Sequence, residues 1–273
     1  MTTLQLNEQA VRDQAVDDYV DNLQREMARS NERLVVDSRL GWYFFPKAFK
    51  VHLIVDPSVA ARRALSRPSD AVESYTSAEE ARRGLSKRSD RENSRFLAMR
   101  GVDQHRLRNY DMVCDTSRAP LDAIVDFILD AADGSLAQPV LQDSPPLLLL
   151  DPVRIYPAQD IRVLRDLWDS DFVDSVRRSG VRGLPTIEVG CALRSFYSIR
   201  GSRWLSAAIQ SGFELVPARL VGERDEAVAG GWSADRYFEN EVSSTKIYDW
   251  EAAHGIRLPL PEHVLQGIRP TAG

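Results

Sequence analysis

Residues 51–65 read VHLIVDPSVAARRAL, a short apolar run followed by Asp-Pro and then by residues with helical spacing. Asp56 is a favourable helix N-cap and Pro57 suits the first turn, so this stretch predicts a strand that feeds a helix. The same pattern recurs on both sides, which predicts strands over Leu34–Val36, Val51–Val55 and Met112–Cys114 and helices over 8–30 and 120–132. Short apolar strands that alternate with helices indicate an α/β protein with a parallel sheet.

The composition is that of a soluble globular protein. The chain has 273 residues, with 35 basic and 40 acidic side chains and a formal charge of −5. This net acidity gives no reason to expect attraction of the whole surface to nucleic acid. The start of the sequence has no signal-peptide pattern and no apolar run is long enough to span a bilayer, so we expect a cytoplasmic protein. Two cysteines and four scattered histidines exclude a disulfide framework and predict no metal site.

Residues 132–146, ADGSLAQPVLQDSPP, combine glycine, serine and three prolines and show no periodicity. This composition is typical of a linker. We therefore predict a first domain over residues 1–133, a linker over 134–146 and a second domain over 147–273.

Arginines are concentrated in one part of the first domain. Between residues 62 and 100 there are ten basic and six acidic side chains, a local excess within an acidic protein. Arg88, Arg91 and Arg95 have the spacing of one helix face, and guanidinium groups bind phosphate oxygens in a two-pronged geometry. The alternative is a solvated face with intrahelical pairs such as Arg88–Glu92, and the spacing does not decide between the two.

Three blocks of the first domain resemble the short cytidylate kinases. They are Leu34–Trp42 (LVVDSRLGW), Arg88–Phe96 (RSDRENSRF), and Gly101–Asp103 followed by Tyr110–Ser117 (YDMVCDTS). The resemblance covers roughly residues 7–132 and implies a P-loop kinase fold. It also implies that Arg39 contacts a nucleoside monophosphate, that Arg88 and Arg95 are lid arginines over the phosphates, and that residues 115–117 lie near an adenine pocket.

The sequence departs from that family at the phosphate-binding loop. The family opens with a glycine-rich loop ending in Gly-Lys-Ser or Gly-Lys-Thr, whose amides and lysine hold the phosphates. No Gly-Lys dipeptide occurs in the 273 residues. We expect either a true beginning upstream or a degenerate domain that does not hold ATP in the usual way.

A second group of motifs follows the linker. Gly201-Ser202-Arg203 forms a strand-to-helix turn whose free amides and guanidinium group suit an anion, although such turns are also common for structural reasons alone. Together with Ile155–Pro157, Ser175–Gly180 and Phe196–Pro217, this turn resembles the ParB/sulfiredoxin-like fold over roughly 147–224. That fold includes the N-terminal domain of ParB proteins, which bind CTP, and the free-serine kinases.

The two branches of that fold imply different chemistry. Partition proteins need a DNA-binding helical segment, and the roughly fifty residues after Arg224 contain no basic recognition helix, which argues against DNA. The serine kinases place a glutamate as general base two residues after the loop proline, where this chain has Gln159. By this resemblance, Asp160 or Glu188 would have to supply the base.

The combined prediction is an α/β protein, with a P-loop-kinase-like parallel sheet remnant followed by a ParB/sulfiredoxin-like α+β domain and a C-terminal extension. The predicted function is a nucleotide-binding phosphotransferase that uses ATP, ADP or CTP with Mg²⁺. Its acceptor would be a small hydroxylated metabolite such as free serine, or a nucleoside monophosphate. The predicted phosphate-binding residues are Gly201, Ser202, Arg203, Arg39, Arg88 and Arg95, and the predicted catalytic residues are Asp160 and Glu188.

The alternative is a non-catalytic module that senses nucleotides or binds a partner, with a ParB-like DNA-binding protein as a weaker third hypothesis. The expected partners are a small-molecule phosphate acceptor and a second copy of the chain in a homodimer, with no membrane.

Overall fold

The computed structural model describes residues 14–30, 33–67, 75–137, 144–158, 170–242 and 244–256. The helices are α1 (Gln14–Arg29), α2 (Gly41–Phe44), α3 (Pro57–Leu65), α4 (Ala78–Arg100), α5 (Leu121–Ala137), α6 (Ser170–Ser179), α7 (Ser202–Gln210), α8 (Ala234–Glu241) and α9 (Ser244–His254). The strands are β1 (Val51–Ile54), β2 (Met112–Asp115), β3 (Leu147–Leu150), β4 (Ile155–Pro157), β5 (Ile187–Ala192), β6 (Ser195–Arg200) and β7 (Val216–Glu223). Strands β1 and β2 and helices α1, α3 and α5 lie where the sequence predicts them.

The strands form one mixed sheet in the order β1-β2-β3-β7-β5-β6-β4. The first three strands are mutually parallel, and β7 runs antiparallel to β3 and parallel to β5. Strand β5 pairs antiparallel with β6, which pairs parallel with β4. The predicted α/β class is therefore confirmed.

The chain divides into two compact units. Unit 1 contains residues up to 50 together with 55–110, and it includes α1 to α4. Unit 2 contains residues 51–54 together with 111 onward, and it holds the whole sheet. This division does not coincide with the predicted linker over 134–146, because β2 pairs with β3 across it and α5 continues to Ala137. Residues 138–143 of that linker lie outside the described residues.

The core of unit 2 follows from the apolar strand sequences. Met112, Val113 and Cys114 of β2 are completely buried, as expected for a central strand with a continuous apolar run. A second cluster joins Tyr197 of β6 to aromatic side chains of α8 and α9, among them Trp250. The hydroxyl of Tyr197 donates to the Ala234 carbonyl at 2.8 Å, and the Trp250 indole donates to the Val153 carbonyl at 2.7 Å. Buried polar tips are thereby satisfied.

One predicted strand is wrong. Leu34–Val36 has no regular secondary structure and its side chains are exposed. Within the described ranges, no strand pairs with this segment, and an apolar run without a ladder partner cannot form a sheet strand. Among the helices that the structure describes, none is long and apolar enough to cross a membrane.

Candidate functional site

The loop that carries Arg39 is anchored in unit 1 by the apolar residues that follow it. Leu40 and Phe44 are buried against Phe96 of α4, with Trp42 packed beside them. The hydroxyl of Ser38 donates to the Gln24 side-chain oxygen of α1 at 2.7 Å. These contacts fix the loop between α1 and α4, so the position of Arg39 is set by a packed core.

Helix α4 has a defined beginning and end. The Ser77 side chain accepts from the Glu80 amide at its N-terminus, and Gly101 ends it in the left-handed conformation, φ 67°. Phe96 is buried and sets the rotation of the helix about its own axis. Residues 88, 92, 95 and 99 lie three or four positions apart on α4, so they share the helix face that Phe96 borders.

A pocket of about 160 Å³ lies where this helix face meets α1 and the loop. It is lined by Val20, Asp21, Gln24, Ser38, Arg39, Leu40, Arg95, Phe96, Met99 and Arg100. Three guanidinium groups thus line the pocket against one carboxylate. Such a charge balance suits an anionic ligand, and the arginine forks suit phosphate oxygens in particular. We call this feature the arginine pocket.

The single carboxylate of the arginine pocket is already paired. Asp21 is buried and forms an ion pair with Arg100, with Arg25 of the same helix as its neighbour 3.9 Å away. The guanidinium groups of Arg25 and Arg100 lie 5.2 and 5.7 Å from the centre of the Phe44 ring. Asp21 therefore neutralises Arg100, and the other two guanidinium groups that line the pocket are those of Arg39 and Arg95.

Arg88 is placed beside the arginine pocket through an acidic side chain. Glu92 forms ion pairs with Arg39 and with Arg88, and the Arg88 Nε–Glu92 Oε1 distance is 3.0 Å. The structure therefore brings together Arg39, Arg88 and Arg95, which the sequence singles out as phosphate-binding residues. It also contains the intrahelical Arg88–Glu92 pair of the alternative interpretation, so the two hypotheses are compatible here.

The other predicted phosphate-binding residues lie in unit 2. Gly201 begins α7 with φ 96°, a conformation that favours glycine, so the backbone alone accounts for this residue. The guanidinium of Arg203 lies 3.9 Å from the centre of the Phe172 ring, and that ring lies 4.7 Å from Trp204. The hydroxyls of Ser198 and Ser202 are 3.4 Å apart. An arginine stacked on an aromatic ring still presents its N–H edge to a ligand.

The two predicted catalytic residues have different outcomes. Asp160 lies outside the described residues. Glu188 accepts a hydrogen bond from Arg219 at 2.5 Å and has Arg200 3.7 Å away. Its strand position is next to Gly201, because Glu188 is in register with Arg200. The role of Glu188 as general base stays a prediction.

The segment that the resemblance places near adenine contains a buried ion pair. Asp115 is 1% exposed, and its carboxylate accepts from Arg154 at 2.5 Å and from the Ser117 hydroxyl at 2.5 Å. Burial raises the pKa of Asp115, and the charge of Arg154 opposes this rise. A second pair follows β3, where Arg118 donates twice to the carboxylate of Asp151. These four side chains satisfy one another in unit 2 and hold the loops after β2 and β3.

In the part of the chain that the structure describes, no three His, Cys, Asp or Glu side chains are grouped so that they could hold a metal ion. Mg²⁺ in phosphotransferases is commonly held by one or two carboxylates and by the phosphates themselves. The protein residues that would meet such phosphates are the arginines described above.

Four polar lining residues of the arginine pocket were not predicted from the sequence: Asp21, Gln24, Ser38 and Arg100. Asp21 and Gln24 are three residues apart on α1, so the sequence alone indicates that they share one helix face. Nothing in the sequence indicated that this face would meet α4, because that depends on tertiary packing.

Comparison with known proteins assigns the N-terminal part of the chain to a family. The sequence profile of the cytidylate kinase-like family matches residues 1–118, which include Arg39, Arg88 and Arg95. A cytidylate kinase from Halobacterium salinarum is 34% identical over 140 residues, which are 50% of this chain and 70% of that kinase. The chain belongs to the cytidylate kinase-like family. This confirms the first resemblance and suggests a nucleotide-binding, kinase-like function.

Other relatives in this comparison differ in size. A cytidylate kinase from Methanobrevibacter smithii is 29% identical over 129 residues, which are 47% of this chain and 72% of that kinase. An S-adenosylmethionine-dependent nucleotide dehydratase from Lacinutrix mariniflava is 32% identical over 131 residues, 48% of this chain but 26% of that protein. The chain therefore spans about a quarter of the dehydratase. The family profile ends at residue 118, so the ParB/sulfiredoxin-like resemblance of residues 147–224 stays a prediction.

Proposed function

We propose that this protein binds a nucleoside monophosphate through the arginine pocket and acts as a nucleotide-dependent phosphotransferase. The observation that carries the proposal is the convergence of Arg39, Arg95 and Arg100 on one pocket of unit 1. A pocket with this charge recognises a phosphate monoester, and arginines also neutralise the charge that builds up on a transferring phosphoryl group. Because relatives of this chain are named cytidylate kinases, CMP is the first acceptor to test.

The size of the pocket indicates that it holds only part of the ligand. Its volume of about 160 Å³ is below the roughly 300–1,000 Å³ of pockets that enclose a whole small molecule. We expect the phosphate and part of the sugar to occupy it, with the base extending beyond. The phosphoryl donor in this proposal is ATP, ADP or CTP with Mg²⁺, as the family implies.

The experiment is calorimetric titration of CMP into wild type, Arg39→Ala and Arg95→Ala. Loss of one charged hydrogen-bonding partner costs roughly 1.5–3 kcal/mol, or roughly a 10- to 150-fold rise in Kd. Arg83→Ala is the matched control, because Arg83 lies on the same helix and pairs with Glu79 but does not line the pocket. Cytidine should bind weakly and equally to all four proteins. Equal CMP affinities in all four proteins would contradict the proposal.

A turnover assay separates catalysis from sensing. Release of ADP from ATP in the presence of CMP supports the phosphotransferase, whereas CMP binding without turnover supports the non-catalytic sensing module. Free serine belongs in the same assay, because the turn at Gly201 and the stacked Arg203 give unit 2 an anion-binding geometry of its own. Serine-dependent turnover that Arg203→Ala abolishes would favour this second acceptor.

A further inference from the structure

Glu92 pairs with two arginines that come from different parts of unit 1. Arg39 lies in the loop before α2, whereas Arg88 lies one turn earlier on α4 itself. The same carboxylate oxygen of Glu92 contacts both guanidinium groups. The side chain of Glu92 is 20% exposed, and those of Arg39 and Arg88 are 47% and 38% exposed. The carboxylate thus lies at the edge of the arginine pocket, within reach of solvent.

A comparison within the same helix shows what is unusual about this arrangement. Glu79 also contacts two arginines, Arg82 and Arg83, but both are its own helix neighbours and none of the three lines the pocket. Glu92 instead joins α4 to a pocket-lining arginine from another segment. Two arginines converging on one carboxylate present the same N–H groups that would hold phosphate oxygens.

We infer that Glu92 is an internal counter-ion, which occupies the phosphate-binding guanidinium groups until a phosphorylated ligand displaces it. This inference rests on the proposed function. The arginines stay paired with an anion throughout the exchange, because the carboxylate leaves them as a phosphate arrives. The displacement is also inexpensive, since ion pairs between partly exposed side chains contribute little to stability.

The competition has a definite sign. When a ligand must displace a bound group, its apparent affinity is the intrinsic affinity multiplied by the fraction of protein from which that group has already moved away. Neutralising Glu92 removes the competitor while leaving Arg39 and Arg88 in place, so phosphate binding becomes tighter. If Glu92 instead held the arginines in a productive position or contacted the ligand itself, the same substitution would weaken binding.

The test is calorimetric titration of CMP and cytidine into wild type, Glu92→Gln and Glu79→Gln at one salt concentration. Glutamine keeps the size of the side chain and removes its charge. We expect Glu92→Gln to lower the Kd for CMP roughly three- to tenfold, with cytidine unchanged. Glu79→Gln changes the net charge of the protein equally. Because neither Glu79 nor its arginine partners line the pocket, the CMP affinity of this variant should match wild type. In Arg39→Ala/Glu92→Gln, the gain should largely disappear, because the arginine that Glu92 occupied is gone.

The outcomes distinguish this inference from the proposed function. Equal or weaker CMP binding by Glu92→Gln, beside measurable binding by wild type, overturns the counter-ion and leaves the proposed function standing. An equal gain in Glu79→Gln also overturns it, because the effect would then be one of net charge. CMP binding by Glu92→Gln alone supports it. Absence of CMP binding in both wild type and Glu92→Gln overturns the inference and the proposed function together.

Discussion

At the scale of single residues, the most consequential contact in unit 2 is the buried pair of Asp115 and Arg154. Truncating Arg154→Ala leaves the Asp115 carboxylate buried without its guanidinium partner. We expect the free energy of unfolding to fall by about 3–5 kcal/mol, measured by urea denaturation. Arg200→Ala is the control, since its side chain is 80% exposed and its pair with Glu188 should be worth at most about 1 kcal/mol. Similar losses in the two variants would refute a special role for the buried pair.

A second prediction at this scale concerns the acid titration of Glu79. The hydrogen bond from Arg82 is the main cause that lowers the pKa of Glu79 from 4.5 to about 2. Because the folded-state pKa lies below the unfolded value, the stabilisation is present above about pH 4.5 and is lost as the pH falls towards 2. Carboxyl-carbon NMR should give a midpoint near 2 for Glu79, and Arg82→Ala should move it upward. An unshifted midpoint in wild type would show that the contact does not persist in solution.

At the scale of elements, the N-terminus of α4 is stabilised separately from the arginine pocket. The Ser77 side chain accepts from the Glu80 amide, and the Glu80 carboxylate accepts from the Thr76 amide and hydroxyl. Ser77→Ala should therefore lower the free energy of unfolding by about 1 kcal/mol, as read from urea denaturation. The first turn lies about 16 Å from Arg88 at 1.5 Å per residue, so CMP affinity should stay within twofold. A large loss of affinity would mean that the capped turn positions the pocket.

The elements also show how far the sequence predicted the fold. The strand β1 and the helix after it were predictable because Asp56 caps the helix and accepts from the amides of Ser58 and Val59. The strand prediction over Leu34–Val36 was wrong because an apolar run shows only that a strand is possible. Whether a strand forms depends on a neighbouring strand to pair with. Pro217 is typical of an edge strand or a strand start, and β7 is internal with Pro217 as its second residue. Local chemistry was readable in each case, but strand order was not.

The candidate site shows the same limit. Arg39, Arg88 and Arg95 could be singled out as candidates because their spacing and sequence context resemble a known family. The Asp21–Arg100 pair was not, because it joins two helices whose packing no local pattern specifies. Residue chemistry was therefore predictable for the arginines, whereas their neighbours required the tertiary structure.

At the scale of the whole molecule, the two cysteines report on the integrity of the sheet. Cys114 of β2 and Cys191 of β5 are both buried, and burial raises the pKa of Cys114 to about 11. Neither thiol should react with Ellman's reagent in the folded protein at pH 8, because the reactive thiolate is both rare and shielded. Two thiols per chain should react after unfolding in urea. Rapid reaction without urea would indicate that the sheet opens readily in solution.

The position of β7 has a consequence for how the chain acquires its structure during synthesis. Strand β7 is the only element that links the ladder β1-β2-β3 to the ladder β5-β6-β4 within the described sheet. It is also the last of these strands to leave the ribosome. Until residues 216–223 emerge, β3 and β5 lack the neighbour that they share in the finished sheet, and their backbone groups on that side are open to pairing with other chains. The final strand therefore joins the two halves of the sheet, and chains truncated before it would be prone to aggregate.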